Sequence, residues 1–388
     1  MRLAGGVVLP IPMSAAFTVA LDAMGGDFAP REVVRGALAA LAAHPDLAVL
    51  LVGDEEKVRA ELPGTALPDR LGIVHAGDVI GMTEAASALR RKRDASIVRA
   101  MDQVREGKAQ AVVAAGSTGA AMSAALVRWG RIKGIERPAI AAVVPTIGGP
   151  CVVLDVGANV DCRPEWLVQF ALMGAAYARN VLKIARPRVG LLNIGEEPEK
   201  GDERTLEVHR RLAALDPGAA GEAPGAAGET SDAPGWRFVG NVEGRAIWDH
   251  VADVVVADGF VGNVFLKTAE GVAGLVARLL KEEIASCGWR ARLGALLMVK
   301  AFRGLKRRTD PAEYGGALLL GVDGVCVICH GSSRSYAVAN AIAVAMEAIK
   351  GDAVARIRAT VQPGAVTAAQ VGEDSAVTGA RAEGERQP

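Results

Sequence analysis

The sequence predicts an α/β protein, a three-layer α/β/α sandwich built on a mostly parallel sheet. Three observations point there. Short β-branched or aliphatic runs alternate with stretches of helical periodicity along most of the 388 residues. Several of these runs are apolar throughout, as expected of parallel strands covered on both faces. Gly-rich polar turns follow the runs at their carboxyl ends, where open α/β sheets bind ligands.

In chain order, residues 17–21 read as the first strand. The turn "DAMGGDFAP" follows, and then a helix over Arg31–Ala43. Residues 47–52 are the next strand; 111–115, 140–144, 152–155, 189–193, 253–257 and 325–329 continue the style. Helical patterns fill many of the gaps, which is the alternation that builds layered α/β folds. Three segments lack a core pattern. Residues 1–16 form a leader interrupted by Gly5, Gly6, Pro10 and Pro12, residues 216–235 are a Gly/Ala/Pro insert, and residues 363–388 are a polar tail. The folded domain is therefore expected over 17–350, with a flexible insert and disordered ends.

Composition narrows the function. Hydrophobic residues make up 51% and charged residues 23%, which is globular; aromatics are only 4%, so aliphatic residues must fill the core. Forty-four basic residues balance 44 acidic ones, so overall attraction to nucleic acid is not expected, and there are few aromatics to stack on bases. The five cysteines, an odd number in a long chain, argue against a disulfide framework. "VCVICHGSS" has the spacing of a haem attachment site. If residues 325–329 form a strand, Cys326 and Cys329 point to opposite faces and cannot share a haem or a zinc ion. Two buried cysteines acting as small hydrophobes, with His330 and Ser332 beyond the strand end, is the expected arrangement. No G-x-G-x-x-G follows a strand, no P-loop or G-x-S-x-G elbow occurs, and no histidine pair has metal-ligand spacing on a helix.

The candidate site residues lie in the strand-end turns. They are Asp22, Gly25, Gly26 and Asp27; Gly116, Ser117, Thr118 and Gly119; Asn159; Asn193 and Lys200; Asp258, Asn263 and Lys267; and His330 and Ser332. Helix N-termini in such turns offer free N–H groups to an anion, and glycines let the backbone approach it. Capping and turn formation would explain each residue singly. Six such turns in one sheet are expected to share a cleft.

These motifs carry a resemblance. "VALDAMGGD", "ALRRKRDASIVRAM", "AAGSTGAAM", "LDVGANVDCRPE", "RVGLLNIGEEPEKGDE", "GNVEGR", "VVVADGFVGNVFLKTAEG" and "HGSS" occur in order over about 17–350. Together they resemble the bacterial phosphate acyltransferases, which move an acyl group from acyl-carrier protein to phosphate. The leader and the insert depart from the family pattern, and Ser117 stands where Asn is more usual. The resemblance implies a Rossmann-like fold and a homodimer. It also implies a cytoplasmic enzyme peripherally associated with the inner face of the cell membrane, whose acyl phosphate a membrane glycerol-3-phosphate acyltransferase consumes.

Direct attack by phosphate needs no enzyme nucleophile and no cofactor. On this reading Ser117, Thr118 and the backbone of 116–120 hold phosphate; Asn159, Asn193, Asn263 and Lys267 are candidates for oxyanion or phosphate contact; His330 moves a proton. Asp22, Gly25, Gly26, Asp27, Lys200, Asp258 and Ser332 complete the substrate site.

Two basic stretches remain. Arg90, Arg91 and Arg93 are read as starting a helix, suited to an acidic carrier protein. Residues 286–308 carry seven basic residues and no acid. There Trp289, Leu296, Leu297 and Phe302 oppose Arg303, Lys306 and Arg307, as on a helical tip lying on an anionic membrane. Rival functions are a coenzyme A-dependent acyltransferase, a dehydrogenase on a similar sheet, and a membrane scaffold without chemistry.

Overall fold

The computed structural model describes residues 7–8, 15–64, 67–84, 86–216 and 235–361. Most of the leader, the insert from 217 to 234 and the tail lie outside the described residues. The elements in the first half are β1 (Val7–Val8), β2 (Phe17–Asp22), α1 (Arg31–Ala43), β3 (Leu47–Gly53), α2 (Glu55–Ala60), β4 (Leu71–His75), α3 (Ser96–Arg105), β5 (Ala111–Ala114), α4 (Thr118–Arg128), β6 (Ala139–Pro145) and β7 (Pro150–Leu154). There follow α5 (Pro164–Asn180), β8 (Arg188–Leu192), α6 (Glu203–Leu215), β9 (Arg237–Val242), β10 (Val254–Val256), α7 (Gly259–Ser286), α8 (Gly288–Leu297), α9 (Val299–Thr309), β11 (Ala317–Leu320), β12 (Val325–Ile328), α10 (Ser335–Lys350) and α11 (Ala353–Thr360).

All twelve strands form one sheet in the order β1-β4-β3-β2-β5-β12-β11-β6-β7-β10-β8-β9. Two parallel blocks, β4-β3-β2-β5-β12 and β7-β10-β8-β9, flank the strands β11 and β6. The three pairings between the blocks, β12–β11, β11–β6 and β6–β7, are all antiparallel. An odd number of reversals makes the blocks run in opposite directions. Their carboxyl ends therefore face opposite edges; even so, the turns after β2, β5, β7 and β12 and the helix after β10 line one cleft, and only the turn after β8 stands apart from it.

Apolar residues on both sides of the strands build two cores, as fully buried parallel strands require. On one face, residues of α1, α5, α10 and α11 pack against Val19, Val113, Val152 and Val254. On the other, Met101 of α3 and Ala121 and Ala124 of α4 cover one block, and Phe265 and Leu266 of α7 reach the other. Cys326 belongs to the second core and Cys329 to the first, so they lie on opposite faces. Burial pushes both thiols up to about 12, the behaviour of inert packing groups.

Several elements differ from the sequence expectation. β4, β9 and β11 were not foreseen: β11 reads "ALLL", without β-branched residues, and β9 contains Gly240 and Asn241. Val7–Val8 of the leader pair antiparallel with β4. Asp216, the expected start of the insert, is a buried fold residue whose carboxylate accepts the Phe238 N–H at 2.7 Å. Arg90, Arg91 and Arg93 do not start a helix. Arg90 ends a 3₁₀ turn (Ala86–Arg90), and α3 begins at Ser96. Lys92 between them is tied to Val79 O at 2.7 Å and to Glu84, and Arg90, Arg91 and Arg93 are exposed.

Candidate active site

The second face has a gap. Between α4 and α7, over β12, β11 and β6, lies a cleft of about 1000 Å³. Its first wall comes from three turns after β2, β5 and β12. The β2 and β5 turns touch backbone to backbone: a Cβ on Gly25 would sit 2.7 Å from Gly116 N. Asp27 N–H donates to Gly331 O at 2.9 Å, joining the third turn. Asp22 is buried beneath and accepts from Met24 N at 3.2 Å. Burial raises its pKa, opposed by bonds from Ser96 and the amides of Met24 and Gly25. Asp22, Gly25 and Gly26 shape this wall; Asp27, Gly116 and Thr118 line it.

Ser117 caps α4, its Oγ accepting from Ala120 N at 3.4 Å. Intrahelical bonding starts with Ala121 N to Ser117 O at 3.0 Å, so the N–H groups of Thr118 and Gly119 have no intrahelical acceptor. Beside them is His330. Its Nδ1 lies 2.8 Å from Ser332 Oγ, and the Ser332 backbone N–H donates to it at 3.3 Å. A backbone N–H can only donate, so Nδ1 accepts, and the neutral ring carries its proton on Nε2.

The facing wall is organised by Asp155. Its buried carboxylate accepts from Ile140 N at 3.0 Å, Gly157 N at 3.1 Å, Ala158 N at 2.9 Å and Asn159 N at 2.7 Å, and from Asn159 Nδ2 at 2.9 Å. Burial pushes this carboxyl up, and these donors oppose the rise. Asn159 also donates to Pro138 O at 2.7 Å; its amide is spent on the turn and does not line the cleft. Asp258 caps α7, accepting from Phe260 N and Val261 N, and pairs with Arg204 Nη2 at 2.8 Å. It too lies behind the wall. What α7 presents to the cleft is the stripe Asn263, Leu266, Lys267 and Glu270 at helical spacing, with Lys267 Nζ 2.8 Å from Glu270 Oε2.

Asn193 and Lys200 are bonded to each other, Asn193 Nδ2 to Lys200 O at 2.9 Å, in the loop after β8. Neither lines the cleft. The cleft therefore gathers Asp27, Gly116, Thr118, Asn263, Lys267, His330 and Ser332 from the sequence candidates. It adds residues the sequence reading missed: Met82, Asp310, Tyr314, Arg334 and Tyr336. Arg334 stacks over the Phe28 ring at 4.5 Å, and Tyr336 OH donates to Glu313 Oε2 at 2.6 Å. The motif "HGSS" runs on directly as "RSY", the one local signal for two of them.

The fold recurs in solved structures. A phosphotransacetylase from Streptococcus pyogenes matches with a TM-score of 0.53 at 16% identity, over 87% of this chain and 94% of that one. A branched-chain phosphotransacylase from Enterococcus faecalis V583 matches with 0.50 at 14%, over 86% and 99%. These likenesses establish the fold. Sequence comparison establishes more. Residues 17–356 match the family described as fatty acid synthesis protein. The phosphate acyltransferase of Pelotomaculum thermopropionicum is 50% identical over 345 residues, 89% of this chain and 95% of the relative. The chain belongs to the phosphate acyltransferase family. That of Synechococcus sp. (strain JA-3-3Ab) is 47% identical over 358 residues, 92% and 93%. The protein is thus an acyltransferase of fatty acid synthesis.

The rest of α7, with α8 and α9, extends beyond the sheet. In α8 no residue is buried, and Trp289, Leu296 and Leu297 are 70%, 68% and 81% exposed. Phe302 is half-buried, Arg303 and Arg307 are exposed, and the Lys306 side chain lies outside the described residues. The sequence predicts the apolar surface at 286–308. It begins earlier, with Val272, Leu275, Val276 and Leu279 of α7 exposed as well.

Proposed function

We propose that this enzyme transfers a long-chain acyl group from an acyl-carrier protein to inorganic phosphate, giving acyl phosphate for phospholipid (phosphatidic acid) synthesis. The observation that carries the reading is one cleft in which the open N-terminus of α4 and His330 face Asn263 and Lys267 across an apolar floor. The donors suit a phosphate, and the floor suits a hydrocarbon chain.

A phosphate oxygen attacks the thioester carbonyl carbon. The C–O bond forms, the carbonyl becomes a tetrahedral oxyanion, and its collapse breaks the C–S bond. Thr118, the free N–H groups of Thr118 and Gly119, and Lys267 hold the phosphate; Asn263 donates to the oxyanion. His330, with its proton on Nε2, gives that proton to the departing thiolate, a modest demand for a leaving group of pKa about 8.5. Ser332 holds the ring in that tautomer. Ser117, Asn159, Asp22 and Asp258 keep the turns in shape.

Around the site, the exposed Arg90, Arg91 and Arg93 offer a basic surface to an acidic carrier protein. The apolar and basic surface of α7–α9 suits the cytoplasmic face of an anionic membrane, where a glycerol-3-phosphate acyltransferase would take the product, and a homodimer is the working assembly. The fold likeness to phosphotransacetylases favours one second reading, a coenzyme A donor. The test is a phosphate titration with long-chain acyl-carrier protein, following free thiol and hydroxylamine-reactive acyl phosphate together. Equal, phosphate-dependent release of both supports the reading; thiol release that ignores phosphate overturns it. Competition between carrier-protein and coenzyme A thioesters separates the donors.

A further inference from the structure

A row of side chains crosses the sheet under the cleft. Ala114 of β5 pairs with Ile328 of β12, and Ile328 with Ala317 of β11. Ala142 of β6 pairs with Val153 of β7, and Val153 with Val255 of β10. The β11–β6 register, Leu318 opposite Ala141 and Leu319 opposite Ile140, sets Ala317 opposite Ala142. Paired residues on neighbouring strands share a face. Accordingly, Ala114, Ile328, Ala142, Val153 and Val255 belong to the same core, with Ala317 packed against it.

Ile328, Val153 and Val255 are branched, and Ala114 at the β5 end does not line the cleft; under the cleft two alanines, Ala317 and Ala142, stand side by side. Strands lie about 4.8 Å apart, so the pair leaves a trough about 10 Å across. The next pair down the strands, Leu319 and Ile140, raises the floor again. The reacting groups stand at the upper end: Gly116 is two residues past Ala114 and His330 two past Ile328, roughly 7 Å along the strands. The trough thus opens roughly 7 Å below the place where a thioester carbonyl would sit. The cleft it belongs to, about 1000 Å³, is large for the ~300–1,000 Å³ range of small-molecule sites.

We infer that Ala142 and Ala317 are specificity determinants: they set the length and bulk of the acyl chain that the enzyme accepts. The inference rests on the reading of this cleft as the acyl-transfer site. A chain running down from the reacting groups lays its more distant methylenes, not its first ones, on the two alanines, and side chains larger than methyl at either position displace those methylenes and the ones beyond.

The test compares octanoyl, dodecanoyl and hexadecanoyl carrier protein with the wild type, Ala142→Leu and the milder Ala317→Val, each checked for folding by thermal melting. Acyl phosphate is the readout. Each displaced methylene lowers kcat/KM roughly 4-fold. Ala142→Leu therefore loses hexadecanoyl transfer by about 10-fold or more while octanoyl transfer stays within about 2-fold, and Ala317→Val gives the same order with a smaller spread. Uniform loss across chain lengths, or no change in either variant, overturns the assignment and leaves the functional reading standing. A folded wild type that makes no phosphate-dependent product from any donor overturns the functional reading, and this inference with it.

Discussion

His330 and Ser332 form a closed pair two residues apart: the serine approaches Nδ1 with both its backbone N–H, at 3.3 Å, and its hydroxyl, at 2.8 Å. The pair fixes the histidine as a donor through Nε2. Replacing Ser332 by alanine removes the hydroxyl contact, worth about 1 kcal/mol, and lowers kcat about 5-fold with little change in phosphate KM. Replacing His330 by alanine costs ~10²–10⁴-fold. Steady-state kinetics and the pH profile of both variants check this; a Ser332→Ala enzyme with an unchanged profile would show that the pair is only a turn device.

Lys267 is the cationic member of the α7 stripe and is half-exposed, with Glu270 as its partner. In the proposed mechanism it contacts phosphate. Lys267→Ala is expected to raise the phosphate KM by about 10–100-fold, the worth of a hydrogen bond to a charged group. Isothermal phosphate titration of the variant gives the comparison, and an unchanged KM would assign the lysine to solvent.

Asp155 collects five donors, four from the turn that shapes the second wall and one from Ile140 of β6. Asp155→Ala leaves buried N–H groups without an acceptor and should cost about 3 kcal/mol or more. Chemical denaturation at neutral pH reads the loss directly. If stability changed by less than ~1 kcal/mol, water would have to satisfy those amides.

Asp253 sets a pH dependence. Burial pushes its carboxyl up, but the Arg188 side chain at 3.0 and 3.1 Å and the Arg188 N–H at 2.8 Å outweigh this and leave the pKa below the ordinary value. A carboxyl depressed on folding contributes stability above its unfolded pKa of about 3.9 and loses it as the pH falls through the folded value. Melting of the wild type should therefore fall below about pH 4 more steeply than that of Asp253→Asn, which begins less stable at neutral pH. Parallel acid profiles for the two proteins would mean that the pair does not drive this limb.

Arg303 and Arg307 are exposed on α9 beside the apolar surface of α7 and α8. Charge reversal at both should weaken flotation with anionic vesicles by about 1 kcal/mol per site, a roughly 10-fold or larger loss in partitioning. Flotation that ignores the reversal would assign that surface to protein packing.

The apolar runs of β2, β3, β5 and β12 were legible because each is a local pattern buried on both faces, and the polar turns because glycine and capping residues mark them locally. The same local logic separated Cys326 from Cys329, since alternation along a strand needs no knowledge of its neighbours. The family, too, could be recognised from linked motifs alone. Long-range pairing decided the rest. "ALLL" at Ala317–Leu320 carries no strand signal of its own, yet it joins β12 to β6, which lies far back in the chain. Its reversal turns the second block of strands around. Pairing across it sets the β7 turn and α7, with Asn263 and Lys267, opposite the β5 and β12 turns, while Asn159 is spent on its own turn and Asn193 and Lys200 stay outside the cleft. The same pairing sets Ala317 beside Ala142. Spacing along the chain fixes which face a residue points to. Only the pairing of distant strands, through backbone hydrogen bonds and shared burial, fixes which turns meet.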